Sequence, residues 1–145
     1  MKHTPISLFL ISLALLLSSC NRQTQHDIEV FNYILHKLNL SIPEQPHNYI
    51  FITKDGCTAC KAFSMAYAKM NDSDTVTFIT TPQLQDFYEL DASPYVVIDS
   101  TATIERLNWS LGGIIEVTTS NRQVVRMQDY DINNYHERFG PILNL

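Results

Sequence analysis

Residues 49–61 read YIFITKDGCTACK, and this stretch decides the fold of the chain. Its first five residues form an apolar run with the length of a buried strand, and an apolar helical pattern follows its last residues. Cys57 and Cys60 therefore lie three positions apart where a strand turns into a helix. Free backbone N–H groups and the helix dipole stabilise a thiolate at a helix start. The stretch predicts redox chemistry.

The first 19 residues are interpreted as a signal peptide. Lys2 and His3 give a short basic start, and residues 6–17 are apolar but too few to span a membrane as a settled helix. The end of the segment, LSSC at residues 17–20, resembles the lipobox of bacterial lipoproteins, whose cysteine is diacylated and becomes the new N-terminus after cleavage. The alternative is an ordinary signal peptide whose last residue happens to be a cysteine.

Lipidation of Cys20 has consequences for location and for the remaining thiols. The acyl chains would anchor the protein to a membrane of the bacterial cell envelope, with polar residues 20–26 as a tether and residues 27–145 as the folded domain. No run of acidic residues follows Cys20, which favours an orientation toward the periplasm. Cys57 and Cys60 are then the one remaining pair, in an exported compartment where disulfides persist.

Length and charge limit the domain organisation and the partners. Removing 19 of 145 residues leaves 126, enough for one domain with one core. The whole chain has ten Lys and Arg against fifteen Asp and Glu, a net charge of −5, which becomes −6 without Lys2. Nucleic-acid binding needs a basic face, so the sequence predicts no nucleic-acid partner.

Hydrophobic periodicity and turn residues predict the remaining elements. Asp27 is expected to cap a first helix, and the strand and helix around the cysteines follow it. The further predicted elements are a strand at 75–80 parallel to the first, a helix at 82–90, a strand after Pro94 that turns into a second strand at 104–107, a pair of strands at 114–119 and 123–127, and a helix at 132–139 capped by Asp131.

The segment DASPYVVIDSTATI at residues 91–104 places a proline directly before a strand. Together with the earlier CTACK at residues 57–61, it resembles the thioredoxin-like superfamily, in which a proline begins the strand beside the dithiol. The resemblance implies an α/β fold with a central mixed β-sheet flanked by helices. In this chain the family's first strand would be missing, and an extra C-terminal hairpin would be present.

The resemblance also implies roles for individual residues. Cys57 would be the exposed nucleophile, with a pKa lowered into a range of roughly 3.5–7.5, and Cys60 would resolve the mixed disulfide. Pro94 would face the substrate after a cis peptide bond, and Ser93 would offer it backbone groups. No cofactor is implied. No metal is predicted either, because the scattered histidines offer no second close pair of ligands to complete a zinc site with the cysteines.

Two departures from the family pattern keep two classes of function open. Gly56 stands where thioredoxins usually have Trp, and Phe51, six positions before Cys57, stands where they have a buried acid. The first class is a membrane-anchored thiol–disulfide oxidoreductase that acts on exported proteins or on a redox carrier. The second is a non-catalytic thioredoxin-like binding or assembly lipoprotein with an inert Cys57–Cys60 pair.

Overall fold

A five-stranded mixed β-sheet with helices on both faces organises the chain. The structure, a computed structural model, describes residues 25–91, 93–107, 109 and 111–141. The predicted signal peptide and Cys20 lie outside the described residues. In chain order the elements are α1 (25–37), β1 (His47–Ile52), α2 (Thr58–Met70), β2 (Val76–Thr80), α3 (Pro82–Phe87), β3 (Val96–Ile98), α4 (Thr103–Arg106), β4 (Ile114–Ser120), β5 (Gln123–Tyr130) and α5 (Tyr135–Phe139).

The strands lie in the order β3-β2-β1-β4-β5, so that β1, which leads to the cysteines, is central. The predicted parallel pairing of β1 with β2 is confirmed, and β3 continues the parallel part of the sheet. The predicted pair of strands after residue 113 is also confirmed: β4 runs antiparallel to β1, and β5 runs antiparallel to β4. The amino end of β4 therefore lies beside the carboxyl end of β1.

Side chains that alternate along β1 divide the core into two layers. Ile50 and Ile52 pack on one face with α2 and α5, in the cluster that contains Cys60. Tyr49 and Phe51 pack on the other face with α1. Because both faces of the sheet are covered, all four of these β1 side chains are almost completely buried.

Residues 103–106 form helix α4 and not the predicted strand, so that prediction is wrong. The reason is the carboxylate of Asp99, which is fully buried at the end of β3. Its Oδ2 accepts the N–H of Ile104 at 2.8 Å, and its Oδ1 accepts the hydroxyl of Thr101 at 2.7 Å. The bond from Ile104 satisfies one of the first backbone donors of the helical turn, and the bond from Thr101 holds the carboxylate in place, which favours a helix over an extended chain.

The first and last helices also differ from prediction at their starts. Residues 25–37 are helical, so Asp27 lies inside α1. Helix α5 begins at Tyr135, three residues later than predicted. The carboxylate of Asp131 accepts the N–H of Asn133 at 2.8 Å and thereby stabilises a turn ahead of α5.

Candidate redox site

Cys57 and Cys60 form a disulfide at the amino end of α2. Cys57 is the N-cap residue of this 13-residue helix and is partly exposed, whereas Cys60 is fully buried. The backbone N–H of Cys60 points at Cys57 Sγ, with 3.0 Å between the two atoms. The same N–H and the helix dipole would stabilise a thiolate on Cys57 once the disulfide is reduced.

The loop between β1 and Cys57 is held by side chains from two sides. Its backbone N–H at Lys54 donates to Glu105 Oε1 of α4 at 2.9 Å, and its carbonyl at Lys54 accepts a hydrogen bond from Lys61 Nζ of α2 at 2.7 Å. At the start of the loop, the backbone N–H and the hydroxyl of Thr53 both donate to the carbonyl of Gly113, at 2.9 and 3.0 Å. These bonds fix the approach of the chain to the disulfide.

Gly113 is a residue of this site that sequence reasoning missed. A Cβ atom built on Gly113 would overlap the backbone of Asp55 and of Gly56, the two residues before Cys57. Only glycine allows such a close approach of two backbones. The sequence did carry a signal, since Gly112 and Gly113 stand directly before the apolar run of β4.

The position of Gly113 follows from the direction of β4. Because β4 is antiparallel to β1, its first residues meet the end of β1 that leads into the disulfide loop. The sequence predicts that the strand after Pro94 begins beside the disulfide. In the structure the Gly112–Gly113 pair, directly before β4, lies there. The arrangement of sheet, disulfide and helix is otherwise compatible with a thioredoxin-like fold.

The structure does not bring Ser93 and Pro94 to the disulfide. Strand β3 is parallel to β2 and β1, so its amino end lies at the opposite end of the sheet from Cys57. Ser93 lines a cavity of about 170 Å³ with Ala68 and Asn71, at the carboxyl end of α2. The helix rise of 1.5 Å per residue places Ala68 about 16 Å from Cys57 along α2. The predicted cis bond is absent too, because no peptide bond among the described residues is cis.

Phe51 lies on the face of the sheet opposite to Cys60. Its ring is fully buried and packs against Phe31 and Trp109, with ring centroids 6.0 and 5.3 Å away. Cys60 lies in the other layer, in an apolar cluster with Ile52 and Ile114. A side chain at position 51 therefore contacts α1 and Trp109 and does not reach Cys60. The sulfur of Cys60 is surrounded by apolar side chains.

A buried charged network lies on the same face of the sheet as α2. Glu116 of β4 accepts two hydrogen bonds at Oε1 from Arg138 of α5, at 2.8 and 3.0 Å, and one at Oε2 from the Tyr130 hydroxyl at 2.6 Å. Burial, followed by the hydrogen bond to Glu116 and the charge of Glu116, raises the pKa of Tyr130 far above its ordinary value. The network attaches α5 to the sheet, and the sequence analysis did not identify it.

Comparisons with known proteins do not assign the chain to a family. No protein-family model matches the chain, and no curated protein has a significantly similar sequence. Among the described residues, no group of three or more His, Cys, Asp or Glu side chains is arranged to hold a metal ion. Within the same part of the chain, no helix has the length and apolar character needed to cross a membrane. The site is defined by its geometry: a disulfide at CxxC spacing in an α/β protein, compatible with a redox role.

Proposed function

We propose that the protein is a membrane-anchored thiol–disulfide oxidoreductase that exchanges disulfides with exported proteins or with a redox carrier through Cys57 and Cys60. One observation carries this proposal: the disulfide lies at the start of a helix, and Cys57 is partly exposed whereas Cys60 is fully buried. An attacking thiolate therefore has access to Cys57 and not to Cys60. Membrane anchoring rests on the lipobox-like LSSC at residues 17–20.

The chemistry starts from the oxidised form that the structure contains. A thiolate of the substrate attacks Cys57 Sγ, the Cys57–Cys60 bond breaks, and Cys60 leaves as a thiolate that takes up a proton from solvent. A second substrate thiolate then attacks the substrate sulfur of the mixed disulfide, and Cys57 leaves as a thiolate. Two electrons pass from the substrate dithiol to the protein, and a disulfide carrier in the same compartment would accept them. With a substrate disulfide and a dithiol carrier, the same steps run in reverse.

The surroundings of the two sulfur atoms make Cys57 a better leaving thiolate than Cys60. The N–H of Cys60 lies 3.0 Å from Cys57 Sγ and favours Cys57 as a leaving thiolate. Cys60 lies in apolar surroundings, which disfavour its thiolate and make it a poorer leaving group. The asymmetry stabilises the charged form of the accessible sulfur, as an exchange enzyme requires.

A Cys60→Ser variant, expressed in the native envelope, tests the proposal. This variant retains Cys57, which attacks a partner's disulfide in the reverse direction, but lacks Cys60, which would then displace the partner, so it should accumulate partner proteins bound through Cys57. The matched control is Cys57→Ser, which leaves only the buried Cys60 and should trap none. The proposal is wrong if Cys60→Ser traps no partner and the purified wild-type protein neither oxidises nor reduces a small disulfide such as bis(2-hydroxyethyl) disulfide.

The second candidate is a binding or assembly lipoprotein with an inert disulfide. Phe51 favours it, because this position carries no acid and its side chain faces away from Cys60. In that case a Cys57→Ala, Cys60→Ala double variant would retain its full binding or assembly function in the envelope. Loss of function in the double variant, with the fold retained by circular dichroism, would exclude it.

A further inference from the structure

A cavity of about 220 Å³ lies beside the loop that leads to Cys57. Its walls come from that loop, from α4 and from the segment before β4, and they include Thr53, Asp55, Glu105, Trp109 and Gly113. At about 30 Å³ per water molecule, the space accommodates one long side chain. None of the residues proposed above to carry out disulfide exchange lines it.

Two of the residues that line the cavity carry buried polar atoms without a hydrogen-bond partner, namely Glu105 Oε2 and Trp109 Nε1. The first is a hydrogen-bond acceptor and the second a donor. Leaving a buried polar atom unpaired is costly, and the cost is greater for a charged group. The pair therefore indicates a ligand that supplies one donor and one acceptor.

The charge of the cavity wall indicates which donor fits. The charged residues among those that line the cavity are Asp55 and Glu105, both acidic, and no Lys or Arg belongs to the described residues that line it. The other oxygen of Glu105 already accepts the backbone N–H of Lys54, which fixes the carboxylate beside the disulfide loop. A cationic donor complements this wall better than a neutral one.

We propose that this cavity binds a basic side chain of a peptide partner, close to the cysteine that reacts with Cys57. The ammonium or guanidinium group donates to Glu105 Oε2, and a main-chain carbonyl of the same partner accepts the indole N–H of Trp109. This inference rests on the proposed function, because it names the substrate class: polypeptides with Lys or Arg near the reacting cysteine. Glu105 and Trp109 are then residues that determine specificity, outside the exchange chemistry itself.

Tryptophan fluorescence tests the cavity directly, because Trp109 is the one tryptophan of the chain. The oxidised mature protein in detergent is titrated with capped tripeptides Ala-Arg-Ala, Ala-Lys-Ala and Ala-citrulline-Ala, the last being a neutral analogue of arginine. We expect the arginine or lysine peptide to change the emission, and citrulline to bind at least about tenfold more weakly. Glu105→Gln should weaken the basic peptide about tenfold, which corresponds to about 1.4 kcal/mol. Glu29→Gln, on the exposed side of α1, is the matched control and should have no effect.

The outcomes separate this inference from the proposed function. Binding of both basic peptides supports a general cation site, and binding of the arginine peptide alone supports a guanidinium site. No change in emission with either peptide, equal binding of citrulline, or an undiminished affinity in Glu105→Gln overturns the inference. The titration needs no turnover. A protein that binds the basic peptides, traps no partner as Cys60→Ser and does not exchange with bis(2-hydroxyethyl) disulfide would therefore refute the oxidoreductase proposal and leave the cation site standing.

Discussion

The backbone of Gly113 lies against the backbone of Gly56 so closely that a single methyl group on Gly113 would overlap it. Gly56 lies in the loop that follows β1, and Gly113 directly precedes β4, 57 positions later in the sequence. The two glycines meet directly beside Cys57. The carbonyl of Gly113 also accepts both hydrogen bonds from Thr53, so the contact positions the whole disulfide loop.

Replacing Gly113 by alanine should therefore displace this loop. We expect the free energy of unfolding to fall by about 1–3 kcal/mol, the usual cost of inserting a methyl group where there is no space. Urea denaturation measures the loss, and exchange with bis(2-hydroxyethyl) disulfide measures its effect on the site. Gly112→Ala is the matched control, because a Cβ there meets only the flexible side chain of Asp129. Equal stability of the two variants would contradict the close contact.

The reduced protein should have an acidic thiol at Cys57. The N–H of Cys60 and the amino end of α2 stabilise the thiolate, so the pKa of Cys57 should lie below the ordinary value of about 8.5. The rate of alkylation by iodoacetamide against pH, in Cys60→Ser, gives this pKa. A midpoint at or above about 8.5 would show that the helix start does not activate the sulfur.

Breaking the Glu116–Arg138 pair should destabilise the fold strongly. Arg138→Met leaves the carboxylate of Glu116 buried without its cation, and such a loss costs about 3 kcal/mol or more. The expected value is at the lower end of that range, since 24% of the Arg138 side chain is exposed. Arg122→Met is the control, because the Arg122–Glu44 pair is mostly exposed and contributes less than about 1 kcal/mol. Urea denaturation distinguishes the two, and equal losses would contradict the buried network.

His47 should make the fold less stable in mild acid. Burial lowers the pKa of His47 below its ordinary value of 6.5, and the nearby charge of Asp74 only partly opposes this. Between that lowered pKa and 6.5 the unfolded chain binds more protons than the folded one, so this contribution to stability rises with pH and is lost as pH falls through this window. The urea midpoint of the wild type should therefore drop between pH 7.5 and pH 5 by more than that of His47→Gln. An equal drop in the two proteins would show that His47 does not contribute.

The sequence predicts the elements around the disulfide because their signals are local. The apolar run at 49–53, the cysteines and the helical pattern after them are contiguous, and a helix between two strands makes these strands parallel. The sheet order is not a local property. Strand β3 has three residues and pairs with β2 at the edge, so Pro94 lies far from the disulfide although its sequence context resembles a proline beside one.

The remaining differences arise from single side chains that act over short distances. The buried carboxylate of Asp99 accepts the N–H of Ile104 and thereby stabilises α4 at residues 103–106, where the sequence predicts an extended strand. The periodicity of apolar residues does not reveal such a cap. Glu105 and Trp109 form a cavity wall only because α4 exists and the segment after it folds back toward Thr53. Gly113 matters through a contact with Gly56, which no pattern in one strand can indicate.

The disulfide encloses very few residues, because Cys57 and Cys60 are three positions apart. In the chain-entropy relation a loop this short stabilises the fold by only about 2 kcal/mol, compared with about 4.7 kcal/mol for a loop of 100 residues. Because so little of the stability depends on it, we expect the sheet, the two core layers and the Glu116 network to persist when the disulfide is opened. The disulfide exchange proposed above would then take place on one rigid scaffold, with the sulfur chemistry separated from the folding equilibrium.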